Sequence, residues 1–119
     1  MSQQRLTEYL DYMHRAASSI CDYTQHFSKD DFLKDQRTQQ AVVMNLIIIG
    51  EAASKVMDLF PDIAQSTAEI EWHKMRGMRN RIAHGYFDIN LDVVWETVKS
   101  AIPDLIKALD LLHSKVDTI

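Results

Sequence analysis

Cysteine is nearly absent from this chain: Cys21 stands alone in a helical pattern, with no CxxC and no metal-ligating neighbours. Disulfide and zinc frameworks are therefore excluded as the basis of the fold. Long apolar runs are missing too, because the longest stretch, Ala41 to Ile49, is interrupted by Asn45 and followed by Gly50 and Glu51. It falls well short of the ~20 residues of a membrane span. The first residues do not read as a secretory signal, so the expected location is the cytoplasm. With only 3 glycines and 2 prolines there is no flexible linker, repeat or low-complexity segment, and no stretch alternates as a half-buried strand does. One domain over 1–119 is expected, long enough to bury roughly 65% of its unfolded surface.

Positive charge is also scarce. Thirteen Lys and Arg against 17 Asp and Glu give a net charge of -4, which argues against a protein that coats nucleic acid generally. The distribution is uneven, however. Lys74, Arg76, Arg79 and Arg81 carry +4 with no acidic residue from Trp72 to Phe87, and the remainder of the chain carries -8. A small cationic site on an acidic body suits local capture of a phosphate better than wrapping of a long duplex.

What the chain has in quantity is helical periodicity. Leu6, Leu10, Met13, Ala17, Ile20 and Phe27 recur at three, four and seven residues and predict a first helix over about 3–26. Ser28 to Asp35 is polar and reads as a loop, with Asp35 as N-cap of a second helix over about 36–60. Val42, Val43, Leu46, Ile47, Ile48 and Ile49 are too many for one stripe, so that helix should be covered on more than one side. Pro61-Asp62 is expected to end it, and Ser66 with Glu69 forms a capping-box signature for a third helix that reaches His84 and exits at Gly85. Asn90 can cap a fourth helix bearing Leu91, Val94, Trp95, Val98, Ile102, Leu105, Leu109 and Leu112, with Pro103 expected to bend it. The favoured architecture is an all-α, up-and-down four-helix bundle.

Residues 76–87 read Arg-Gly-Met-Arg-Asn-Arg-Ile-Ala-His-Gly-Tyr-Phe, in which Arg79, His84 and Tyr86 have the spacing R-x4-H-x-Y. Arginine offers a permanently charged fork for phosphate oxygens, and histidine is the side chain suited to proton exchange near neutrality. Together they suit phosphodiester cleavage. His84 would take the proton of an RNA 2′-hydroxyl, or deliver one to the leaving 5′-oxygen, while Arg79 stabilises charge on the phosphate. DNA lacks that hydroxyl and should not be cut. No Asp/Glu cluster suited to two-metal chemistry accompanies the motif, so no metal and no cofactor are expected. Helix geometry adds a condition. Arg76, Asn80 and His84 share a face at four-residue steps, whereas Arg79 and His84 point about 140° apart. Either the last turn unwinds before Gly85, or a second protomer brings the complementary residue across a two-fold axis, the alternative that the over-hydrophobic second helix favours.

Three ordered segments, Arg37 to Ala53, Met78 to Phe87 and Val94 to Val98, resemble the HEPN superfamily and within it the HepT-like toxins, whose signature is R-x4-H-x-Y near the end of the third helix of an all-helical bundle. The resemblance covers nearly the whole chain. It implies a metal-independent endoribonuclease toxin, active as a homodimer, with Arg79 and His84 as the catalytic pair. It also implies a partner, an antitoxin of the minimal nucleotidyltransferase type that silences the toxin by transferring AMP to the motif tyrosine, Tyr86 here.

Each of these residues has a plainer reading. Arg76 and Asn80 orient His84 or extend the phosphate site, and surface polarity explains them nearly as well. Glu51 can hydrogen-bond into the site from the second helix, although a Glu51–Lys55 surface pair is the simpler account. Lys74 and Arg81 add general attraction for RNA. Tyr86-Phe87 can anchor the bundle as a closing aromatic pair. The tryptophans and methionines read as packing residues, and the five histidines lack any ligand spacing. At the level of function the alternative is a non-catalytic helical module that docks a nucleotidyltransferase or presents its substrate.

Overall fold

The apolar residues spaced at three and four along the first helix, Leu6, Leu10, Met13, Ala17 and Ile20, are all buried, and they form one side of a continuous core. The computed structural model describes residues 3–117, and among these the regular structure is entirely helical. Helix α1 spans Gln3–Tyr23 and ends three residues earlier than its periodicity predicts. His26 then takes a left-handed turn, at φ 68.

Ser28 to Asp35 is not a loop. It holds a short helix α2, Lys29–Lys34, closed by a capping box in which the Ser28 hydroxyl accepts from the Asp31 N–H and the Asp31 carboxylate accepts from the Ser28 N–H. The reason lies in Phe32, which is wholly buried with its ring 5.3 Å from that of Trp95. Asp35 caps the next helix, accepting from the Thr38 N–H at 3.1 Å. This helix α3, Gln36–Leu59, is central: it packs against α1 on one side and against the helix over Trp72–His84 on another, which accounts for its apolar excess.

Pro61 does more than end α3. It opens another short helix, α4, Pro61–Ser66, where its missing N–H is no loss in a first turn. The expected capping box at Ser66 is absent, because the Ser66 hydroxyl donates backwards to the Ile63 carbonyl. Buried Thr67 takes over the corner, donating to that same carbonyl and accepting from the Trp72 indole N–H at 3.0 Å. Helix α5 therefore starts late and runs Trp72–His84 without a side-chain N-cap.

The last helical run is divided. Asn90 caps α6, Leu91–Glu96, through the N–H groups of Asp92 and Val93. A π turn over Thr97–Ala101 follows, in which the Ile102 N–H reaches five residues back to the Thr97 carbonyl, and α7 spans Ile102–Asp117. Pro103 lacks the N–H that the Lys99 carbonyl would accept in an α-helix, so the irregularity sits where the ladder has a missing donor. α7 returns along α1. On that seam His14 meets Asp110 and His113 meets Asp11, each at 2.9 Å, with the two imidazoles edge to face. No helix among the described residues is long and apolar enough to cross a membrane.

Candidate active site

Gly50 fixes how α5 meets α3. A Cβ at this buried position would collide with the Cβ of Arg79 and lie 2.8 Å from the Met75 carbonyl oxygen, so only glycine allows the two helices to approach this closely. The next residue of α3, Glu51, consequently reaches Arg79, with its carboxylate 3.2 Å from Nη1. Asn80 holds the other edge of the guanidinium, its side-chain oxygen accepting from Nε and Nη2 at 3.0 and 2.9 Å. Of five N–H donors these contacts use three, which leaves one hydrogen on each terminal nitrogen for an incoming oxygen.

One turn earlier Arg76 is tied down similarly. It donates through Nε to the Ser54 hydroxyl and through Nη2 to the Ser54 carbonyl and the Asp58 carboxylate. The two arginines, with Glu51, Ser54, Lys55 and Asp58, line an open polar cleft of about 390 Å³ between α3 and α5. The cationic segment is thus less unbalanced than its sequence suggests. Asp58 and Glu51 pair with Arg76 and Arg79, and Glu71 pairs with Lys74. Arg81 has no ion-pair partner among the described residues and lines, together with Lys74, a separate apolar groove between α5 and the last helical run.

His84 is the final residue of α5 and is exposed, with no hydrogen bond to its ring among the described residues. The helix does not unwind before it: Gly85 follows as C-cap at φ -145, its N–H bonded to the Arg81 carbonyl. Exit at this point was expected, and Gly85 makes it with a negative φ. Arg79 accordingly turns toward α3, while His84 closes the end of the helix, and no hydrogen bond joins the two among the described residues. Of the sequence-predicted residues, Arg76, Arg79 and Glu51 line one cleft, and Asn80 is bonded to Arg79 beside it. Lys74, Arg81, His84 and Tyr86 stand outside it.

Tyr86 lies on a 3-10 turn, Tyr86–Asp88, with its side chain about half exposed, and Phe87 is 99% exposed. This corrects the reading of the pair as an anchor that closes the bundle. For Glu51 the plainer reading as a surface pair with Lys55 is the one set aside, since its carboxylate pairs with Arg79 across the two helices. Sequence reasoning missed Ser54 and Asp58. Their spacing from Glu51, three and seven residues, puts all three on one face of α3 and was the available signal. Trp72 and Trp95 are core residues, as their helical positions predict. Among the described residues no group of three His, Cys, Asp or Glu could hold a metal ion.

An all-helical chain that carries this motif at the end of α5 is matched by a family of ribonucleases. The model of the family described as "Ribonuclease HepT-like" matches residues 13–112. The chain belongs to the HepT-like ribonuclease family, and so to the endoribonucleases. Among curated proteins it is 38% identical over 98 residues to a "Probable ribonuclease HepT" of Thermococcus cleftensis, covering 82% of this chain and 86% of the relative. A "Putative RNase" of Methanocaldococcus jannaschii is 36% identical over 98 residues, covering 82% and 78%. One of Caldanaerobacter subterraneus is 32% identical over 107 residues, covering 90% and 93%. No solved structure gives a significant match.

Proposed function

We propose that this protein is a metal-independent endoribonuclease toxin, cytoplasmic, formed by a single domain over 1–119 with a four-helix-bundle plan, and active as a homodimer whose site takes Arg79 from one copy and His84 from the other. One observation carries this reading. Helix α5 stays regular through His84, so the arginine that faces α3 and the histidine at the exposed end diverge within one chain. A two-fold partner brings complementary residues together without distorting either helix.

In such a site one His84 removes the proton from the 2′-hydroxyl, the freed oxygen attacks the adjacent phosphorus, and the bond to the 5′-oxygen breaks as that oxygen takes a proton from water, the imidazolium then returning its own proton to solvent. The products are a 2′,3′-cyclic phosphate and a 5′-hydroxyl end. Arg79 supports the charge on the non-bridging oxygens through its two remaining N–H groups, and Glu51 with Asn80 keeps the guanidinium plane oriented. Arg76 is a structural strut between the helices, and Lys74 and Arg81 contribute attraction at a distance.

Tyr86 is the residue we assign to AMPylation by a minimal nucleotidyltransferase antitoxin. Its half-exposed phenol stands two positions beyond His84, where an added nucleotide brings a phosphodiester charge and an adenosine into the approach of RNA. The test is incubation of the purified protein with total RNA in EDTA, beside the His84→Ala variant, and mass spectrometry of the chain after co-expression with the nucleotidyltransferase. Cleavage in EDTA by the wild type alone, and a Tyr86 heavier by one AMP, are the expected results. A His84→Ala protein that cuts as well as wild type contradicts the mechanism, and an unmodified Tyr86 in silenced protein contradicts the regulation.

A further inference from the structure

Phe87 is 99% exposed, and its ring contributes nothing to the core. The turn that carries it is defined, with the Asp88 N–H bonded to the Gly85 carbonyl at 2.9 Å and the Ile89 N–H to the Tyr86 carbonyl at 3.4 Å. Tyr86 meets the Phe87 ring edge-on, with centroids 6.0 Å apart at 87°, and a T-shaped neighbour of this kind leaves the phenylalanine a face for a third ring. Three Cα steps separate Phe87 from His84, which limits their Cα distance to about 11 Å.

The chemistry around this ring is that of a nucleotide, whose base is flat and whose phosphate is anionic. His84, Arg81 and the Tyr86 phenol lie on the helix-end side, and Asp88 is the one carboxylate of the turn. The chain positions next to the aromatic pair are polar or small, His84 and Gly85 before it and Asp88 after it, which suits a nucleotide better than an extended apolar partner. We propose that Phe87 is a stacking platform for an unpaired base of the RNA whose phosphate is held between Arg79 and His84. This rests on the ribonuclease reading above and adds a substrate requirement: the RNA must be single-stranded next to the cleaved bond, because a paired base cannot offer its face.

The experiment uses the His84→Ala protein, in which cleavage is expected to be lost, and a set of short single-stranded RNAs with 2-aminopurine at successive positions. Quenching is expected at one or two positions. It should be lost on adding Phe87→Ala and kept with Phe87→Trp, and affinity for the alanine variant should fall by roughly 5- to 150-fold, the range for loss of one base–aromatic stack. A duplex of the same sequence should bind both proteins alike. Equal quenching and affinity with Phe87→Ala overturn the platform. So does a variant that binds RNA normally but no longer associates with the nucleotidyltransferase, which would assign the ring to protein docking. Wild-type protein that quenches but never cleaves refutes the ribonuclease reading and leaves the platform standing; wild-type protein that cleaves, with Phe87→Ala unchanged in KM, refutes the platform alone.

Discussion

Histidine is used in opposite ways at two places in this molecule. On the α1–α7 seam His14 and His113 are each 2.9 Å from a carboxylate on the facing helix and partly covered, whereas His84 at the end of α5 is exposed with no bonding partner among the described residues. The first pair is committed to structure. A partly exposed polar contact of this kind contributes about 0–1 kcal/mol, and a positioned proton-transfer group changes a rate by about 10²–10⁴. Residue type alone does not separate the two, and neither does spacing along the chain. What separates them is whether the ring nitrogens are already spoken for.

Substitutions sharpen this comparison, and the largest effect is expected at the exposed end. His84→Ala should lower cleavage of single-stranded RNA by about 10²–10⁴ while thermal stability stays at the wild-type value. A His84→Ala protein whose midpoint drops by many degrees would instead make this histidine a structural residue like the other two. Gly50→Ala comes next. The added methyl collides with Arg79 and the Met75 carbonyl, so stability should fall by roughly 1–3 kcal/mol and cleavage should fall with it, because the helix that carries Arg79 is displaced. Denaturant unfolding and an RNA assay on the same sample check both halves, and a variant as stable as wild type would mean that the close approach of α3 and α5 is not required.

Smaller effects belong to the paired regions. His14→Ala and His113→Ala should each lose about 0–1 kcal/mol of stability and keep full cleavage, the mirror image of His84→Ala. Loss of activity in either, measured at a temperature where both are folded, breaks the contrast between seam and site. The smallest concerns α2. The Asp31 carboxyl is held below its ordinary range, first by the Ser28 backbone N–H and then by the Ser28 hydroxyl. A carboxylate lowered in the folded state adds stability that is present above its unfolded pKa of about 4 and disappears as pH falls through the folded value. Asp31→Asn should therefore reduce the difference between melting midpoints at pH 7 and pH 3, and an unchanged difference would remove the capping box from acid stability.

Much of this was legible in the chain. Periodicity and cap signals located α1, α3 and the last helical run within a few residues, and Asp35, Asn90 and Gly85 marked ends as expected, whereas α5 begins only at Trp72, well after the Ser66 signature that was expected to open it. The short helices α2 and α4 were not legible, because six residues hold too little of a helical period. Phe32 and Pro61 decide them through tertiary burial and first-turn geometry. Ser66 failed as a cap for a related reason, since a hydroxyl near a helix end can donate to its own preceding turn as easily as it can cap the next. In the site, R-x4-H-x-Y was visible at once, but the anchoring of Arg79 by Glu51 depends on the missing Cβ of Gly50, which no local pattern announces. The His14 and His113 pairs were invisible, with partners 96 and 102 residues away.

The claim at the centre is that each cleavage site draws Arg79 and His84 from different copies. Complementation tests it most directly: Arg79→Ala and His84→Ala proteins, each inactive alone, are mixed under conditions that exchange subunits and assayed on RNA. Half of the resulting dimers are mixed and each holds one intact site, so recovery of roughly a quarter of wild-type activity is predicted. Subunits that exchange fully and yet restore no cleavage would contradict it.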